Sequence, residues 1–177
     1  MHQLMSSRRG LLGAAGLSMA AAVTARAADL SADPQPGTEF VFEEFCALDA
    51  GFHIGATPFG QRNRIGITGG HFEGARLQGK VLPGGADWQL IRADGVIAIE
   101  ADYMIQANDG ALIHVLNRGV IRIDEKNAAP PYVRTAPVFE APIGPHDWLN
   151  KSLFVGTVTP MPEGQAPAVR VRIFRVT

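Results

Sequence analysis

Ile67-Thr68-Gly69-Gly70-His71-Phe72-Glu73-Gly74-Ala75-Arg76-Leu77-Gln78-Gly79-Lys80-Val81-Leu82-Pro83-Gly84-Gly85-Ala86-Asp87-Trp88-Gln89 is the stretch that decides the fold. It carries two twin-glycine elements, and Asp94-Gly95 and Asn108-Asp109-Gly110 follow closely. Gly, Asn and Asp pairs are the residues that tight hairpin turns demand, because they tolerate positive φ at little steric cost. Short strands joined by hairpins are the expectation, with turns closing at Gly69-Gly70 and Gly84-Gly85.

Working outward, the flanks alternate with the period of a strand that has one wet face. Phe40, Phe42 and Cys46 interleave with Glu39 and Glu43, and a strand through Ile65 and Ile67 leads into the quoted block. Further strands are expected at Arg76–Leu82, Trp88–Arg92, Val96–Gln106, Ala111–Arg118, Val120–Ile123, Ser152–Thr159 and Ala168–Val176. In the last of these Val169, Val171 and Ile173 face one way, and Arg170 and Arg172 the other. Thr57–Arg64 reads as a polar loop. Residues Glu125–Asn150 hold five prolines and read as an irregular segment folding over the domain. Turn signals at roughly 8–12 residue spacing, with no helical period, predict an all-β domain. A single antiparallel β-barrel of about eight to ten strands is expected, since closure removes the edges that a sandwich must protect.

The N-terminus reads as an address. Ser7-Arg8-Arg9-Gly10-Leu11-Leu12 is a twin-arginine pattern, Leu11–Val23 is a short apolar run, and Ala25-Arg26-Ala27 offers a small-x-small cleavage site. Residues 1–27 are therefore expected to be an export signal, 28–37 a mobile leader, and 38–177 the barrel. The apolar run is well short of the ~20 residues that cross a bilayer, so no membrane span is expected after cleavage. The mature protein is expected to be periplasmic or secreted.

Three of the 16 basic residues (Arg8, Arg9 and Arg26) and none of the 17 acids fall in residues 1–27, leaving 13 against 17, a net of −4. A mildly acidic domain has no electrostatic footprint for nucleic acid or anionic lipid. The single cysteine, Cys46, excludes an internal disulfide and reads as a small buried apolar residue.

From about Phe40 to Val176 the chain resembles the bacterial and fungal family known as domain of unknown function 3237. The matching residues are Ile67-Thr68-Gly69-Gly70, Phe72-Glu73-Gly74, Leu77, Gly79, Val81–Gln89, Arg92, Asp94-Gly95, Tyr103, Asp109-Gly110-Ala111 and Asn117-Arg118-Gly119. Thr135–Glu140 and Trp148-Leu149-Asn150 continue the match. The resemblance implies an antiparallel β-barrel and no established activity, cofactor or substrate. Where the family pattern runs Asp-Ala-Arg-Tyr, this chain has Glu100-Ala101-Asp102-Tyr103, so no cation is implied at that position.

Small barrels hold ligands in a lumen lined by alternate residues, largely apolar with a few aimed polar groups. Trp88, Leu90 and Arg92 share one strand face. If that face is the lumen, Arg92 needs a carboxylate partner, and Glu100 or Asp102 across the Asp94-Gly95 hairpin would supply it. The alternative is an Arg–Glu pair on the outer face. Glu73 and Asp87 each follow a glycine pair; converging in an apolar mouth, one would be pushed towards a general acid and the other left a base. Their plainer role is to hold loops through backbone N–H groups. Tyr103, Trp148 and Asn150 complete a candidate aromatic wall with one orienting amide, or else pack under the proline-rich segment. His71, Glu73, Asp87 and His53 lack diagnostic metal spacing, so neither metal nor cofactor is expected.

The leading expectation is an exported, monomeric or homodimeric barrel that binds a partly aromatic or apolar small molecule. Trp88, Tyr103 and Trp148 would give contact area, and Arg92, Glu100 and Asn150 orientation. The alternative is a cofactor-independent isomerase, cyclase or lyase using Glu73 or Asp87 as base, with Arg92 stabilising developing negative charge. A third is a structural partner of another exported protein.

Overall fold

The computed structural model describes residues 35–124, 130–161 and 168–177. The expected signal and most of the expected leader lie outside the described residues. The leader's last residue, Gly37, is tied to the chain's end, donating to the Thr177 carbonyl at 2.9 Å and accepting its N–H at 3.0 Å. Among the described residues no helix is long and apolar enough to cross a membrane.

Ten strands follow in order: β1 Thr38–Leu48, β2 Phe52–Thr57, β3 Gly60–Glu73, β4 Gly79–Val81, β5 Gly85–Ile91, β6 Ile97–Ala107, β7 Leu112–Arg122, β8 Tyr132–Glu140, β9 Phe154–Pro160 and β10 Ala168–Val176. All pairings are antiparallel. The circuit β1-β10-β9-β8-β7-β6-β4-β3 closes through a β1–β3 ladder, giving an eight-stranded barrel. β4 and β5 occupy one place in that circuit. β4 pairs the far end of β3 and β6, and β5 their near halves, with Leu82-Pro83-Gly84 between. β2 is the arm of a hairpin beyond the barrel, paired only to β3.

The sequence expectation of an all-β barrel holds, and three local expectations are corrected. Gly69-Gly70 is no turn, because β3 runs straight through it from Gly60 to Glu73 and includes most of the expected polar loop. The β1–β3 register slips by one residue between Ala47↔Gly69 and Leu48↔Ile67, which inserts an extra β3 residue there. Such a bulge switches which parity faces inward: Ile67 is buried on one side of it and Phe72 on the other. Within the proline-rich segment, Tyr132–Glu140 is a strand with perfectly alternating burial. Its Pro137 is tolerated because β8, held to β7 along its whole length, meets β9 in register only at Thr135↔Gly156. The segment then ends in a short 3-10 turn, Asp147–Lys151, which buries Leu149 against the barrel as expected of a packed loop.

Inward residues of the closed end form the core. Phe42 meets Phe72 at 5.4 Å and Phe139 at 5.9 Å between ring centroids, and Phe139 meets Phe154 edge-on at 4.9 Å. Ile105, Ile113, Val115 and Ile173 are fully buried around them.

Candidate functional site

Half of the barrel is filled by that core, and the other half is hollow. A cavity of about 410 Å³ opens at the end where β1, β5, β7 and β9 finish. Its walls are mainly aliphatic: Leu48, Ile65, Ile67, Ile99, Ile121, Val133, Val158, Val169 and Val171, with Pro130, Pro131 and Pro160 at the rim. The alternation of each strand supplies these side chains, every second residue pointing into the lumen.

The polar groups in or beneath this lumen are few. Asp87 and Gln89 come from β5, Tyr103 from β6, Asn117 from β7, and all four line the cavity. Glu44 lies under the floor, wholly buried, where Tyr103 Oη donates to its Oε2 at 2.6 Å. The Asn117 amide lies against the same phenol oxygen. Among the described residues no cation offsets it, and burial pushes the Glu44 carboxyl up to about 7, only partly countered by the Tyr103 hydroxyl. Burial beside that carboxylate holds the Tyr103 phenol well above its ordinary range. Cys46 sits nearby with its thiol likewise raised by burial and by Glu44, so it is a neutral wall residue, not a nucleophile.

Asp87 is the carboxylate that faces the cavity itself. Its Oδ2 accepts from Gln89 Nε2 at 2.8 Å and its Oδ1 from the Glu100 backbone N–H at 3.1 Å. Desolvation by the apolar wall nevertheless raises its carboxyl above the ordinary aspartate value. A partly desolvated carboxylate in a dry pocket is suited to exchanging a proton with a bound molecule. Among the described residues no group of three or more His, Cys, Asp or Glu side chains is placed to hold a metal ion.

Of the residues singled out from the sequence, Asp87 and Tyr103 reach the lumen together. Trp88 lies on the opposite face of β5 and is 43% exposed, and Arg92, just past the strand, is exposed and pairs with Asp94 in the hairpin turn. The Asp94 pairing and the exposure remove Arg92 from any role inside the barrel. Glu100 points out too, where it bonds Arg118 Nε at 2.7 Å, so the outer-face reading of this acid holds with a different arginine. Glu73 is exposed at the end of β3, opposite Glu43. It lies eight residues beyond Ile65, the register partner of Asp87, or roughly 25 Å of strand. The two acids do not converge. Trp148 packs against Phe154 under Arg76, whose guanidinium is 4.3 Å from its ring centroid, away from the lumen. Asn150 pins the proline-rich segment by bonding both the N–H and the carbonyl of Ala141, at 2.8 and 2.9 Å.

Glu44, Gln89 and Asn117 were not among the expected site residues. Two carried a legible signal. Glu44 is in phase with Phe42 and Cys46, and Asn117 with Ile113 and Val115. A polar residue in step with a buried apolar set is the mark of an inward polar group.

The comparisons agree with this fold. A UPF0311 protein of Rhodopseudomonas palustris (strain TIE-1) is 34% identical over 135 residues, covering 70% of this chain and 88% of that protein. The crystal structure of a β-barrel-like protein from Acinetobacter baumannii AYE superposes with a TM-score of 0.72 at 27% identity, over 81% of this chain and 98% of that one. A hydroalkoxylation enzyme, phnH, of Penicillium herquei is 36% identical over 91 residues, which is 51% of this chain and 53% of the enzyme. Residues 36–176, the whole barrel, match the family described as protein of unknown function DUF3237, and the chain belongs to that family.

Proposed function

We propose that this protein binds a small, largely apolar molecule carrying an oxygen function in the open half of its barrel. The supporting observation is the cavity of about 410 Å³ with mainly aliphatic walls and a few polar groups among them. That volume and lining suit a ligand of drug-like size. We further propose that it acts outside the cytoplasm, on the strength of Ser7-Arg8-Arg9, the apolar run and Ala25-Arg26-Ala27.

A second reading is proton-transfer catalysis in the same lumen, favoured by Asp87. Its raised carboxyl lines the cavity among mainly apolar side chains. The phnH relative is named for hydroalkoxylation, the addition of an O–H across a carbon–carbon double bond. That reaction is balanced by proton movement alone: the oxygen loses its proton to a base, the C–O bond forms, and the other carbon gains a proton. In this reading Asp87 takes the first proton.

A thermal-shift screen of the purified protein against phenolics, lactones, fatty acids and sugars tests the binding reading. A ligand at a hundred times its dissociation constant adds about 2.7 kcal/mol. The shift is expected to persist in Trp88→Ala, on the outer face, and to vanish in Ile121→Trp, which narrows the mouth. A shift that instead depends on Trp88 moves the site outside the barrel. If the hit is turned over, Asp87→Asn should lower kcat by about 10²–10⁴-fold.

A further inference from the structure

The inward row that crosses β5, β6 and β7 at one level is Asp87, Ala101 and Asn117, joined by the register pairs Asp87↔Ala101 and Ala101↔Asn117. All three line the cavity. The middle member has only a methyl group, so the row is a notch with a carboxylate on one side and a carboxamide on the other. Two register steps put the Asp87 and Asn117 Cβ atoms roughly 10 Å apart. Their side chains each span part of that gap.

The notch has a definite hydrogen-bonding sense. Asn117 is only 4% exposed, and its Oδ1 has no partner among the described residues. A buried amide oxygen without a donor is costly, and the side chain that carries it lines this cavity. Asp87 offers about four acceptor sites, of which Gln89 Nε2 and the Glu100 N–H engage one on each oxygen. The Tyr103 hydroxyl, the donor nearest the floor, is committed to Glu44 at 2.6 Å. Acceptors therefore face the notch, and the donor must come from the ligand.

We infer that the Ala101 notch is a hydroxyl-recognition site, which seats a phenolic or enolic O–H of the ligand between Asn117 Oδ1 and the Asp87 carboxylate. Carbonyl and ether oxygens are disfavoured there because they bring no donor. Ala101 sets the specificity, since any larger side chain fills the oxygen's place. Glu44 is a positioning residue: by holding the Tyr103 proton it keeps that phenol from donating into the lumen. This inference rests on the lumen-binding reading and names the chemistry of its ligand.

Three probes of one shape separate the possibilities on the full-length protein: 2-naphthol, which donates; 2-methoxynaphthalene, which only accepts; and 2-methylnaphthalene, which does neither. Titration followed by naphthalene fluorescence should give 2-naphthol about tenfold tighter binding than either analogue, the worth of one hydrogen bond to a buried or charged acceptor. In Asn117→Leu that preference is expected to fall within twofold. Ala101→Val, which adds two methyl groups at the cavity wall, gives the same reading if the Asn117 variant does not fold. Equal binding of all three probes overturns the hydroxyl site and leaves the lumen reading standing, as does a preference that survives both variants. No binding of any probe to folded protein overturns the lumen reading, and the hydroxyl site with it.

Discussion

Glu44 is an acid with no cation among the described residues to hold its charge, set beneath an apolar cavity and bonded to a phenol. Such a group folds most readily as the neutral acid. Its carboxyl rises from 4.5 to about 7 on folding. Below pH 4.5 it is protonated in both folded and unfolded chains and costs nothing. Between these values the unfolded chain loses the proton while the folded one keeps it, so stability falls as pH rises and then levels off above about 7. The fall is about 3 kcal/mol, because each tenfold change in proton affinity is worth about 1.4 kcal/mol. Glu44→Gln removes this group's part. The difference in unfolding free energy between variant and wild type should therefore move about 3 kcal/mol towards the variant from pH 4.5 to 7.5. Urea titrations across that range check it, and parallel curves would show that Glu44 is not the titrating group. Asp87, raised by the same desolvation, adds a dependence of the same sign in both proteins.

β3 shows how one element serves two places at once. Its first half ladders with β2 and β5, and its second half with β1 and β4. The change of partners happens across Ile67–Gly70, where the extra residue switches parity. Gly70 sits there at φ 142°, and a Cβ on it would collide with the Phe45 carbonyl oxygen of β1. Backbone cannot yield as a flexible side chain does. Gly70→Ala should accordingly cost about 3 kcal/mol or more, the sum of backbone strain and a ladder pushed apart. Gly84, in the break between β4 and β5, is the control: its φ is 108°, and a Cβ there meets nothing within 4 Å. Gly84→Ala should cost only the conformational strain, about 1 kcal/mol. Denaturant midpoints of the two variants test the contrast, and equal losses would mean that close approach at the twin glycine is not what requires glycine there.

At the scale of the whole barrel the walls are unequal. β6 and β7 are in register from Ile97↔Ile121 to Gln106↔Leu112, whereas β8 and β9 share only Thr135↔Gly156. Pro137 of β8 and Pro160 of β9 also lack amide protons. Local opening is cheapest where few backbone bonds must break. Amide hydrogen exchange should therefore be at least about tenfold faster in β8 and β9, at positions facing each other, than along the β6–β7 ladder. The slow side carries Tyr103, Asn117 and Ala101, so the polar end of the cavity stands on the stiffer wall while the β8–β9 side yields. Uniform protection around the barrel would contradict that division.

Alternation and turn chemistry were enough to settle the all-β class, the closed sheet and the near-exact spans of β6 and β10, because one wet and one dry face impose a period of two on any sequence. Tyr103 and Asp87 were also legible as candidates, and both line the cavity. Which face of β5 is the inner one was not. Trp88 and Leu90 are the apolar pair, yet they face outward, and Asp87 and Gln89 face the cavity. Polarity guides orientation only when the lumen is a core, and here half of it is a hollow. β3 likewise runs on through Gly69-Gly70 and so carries Glu73 away from Asp87, while its bulge reverses every side chain beyond it. The sequence by itself thus determined the family, the barrel and the inward apolar period. Only the tertiary structure decided which acids share the lumen, because that depends on register between strands distant in the chain, and a single-residue slip exchanges inside for outside.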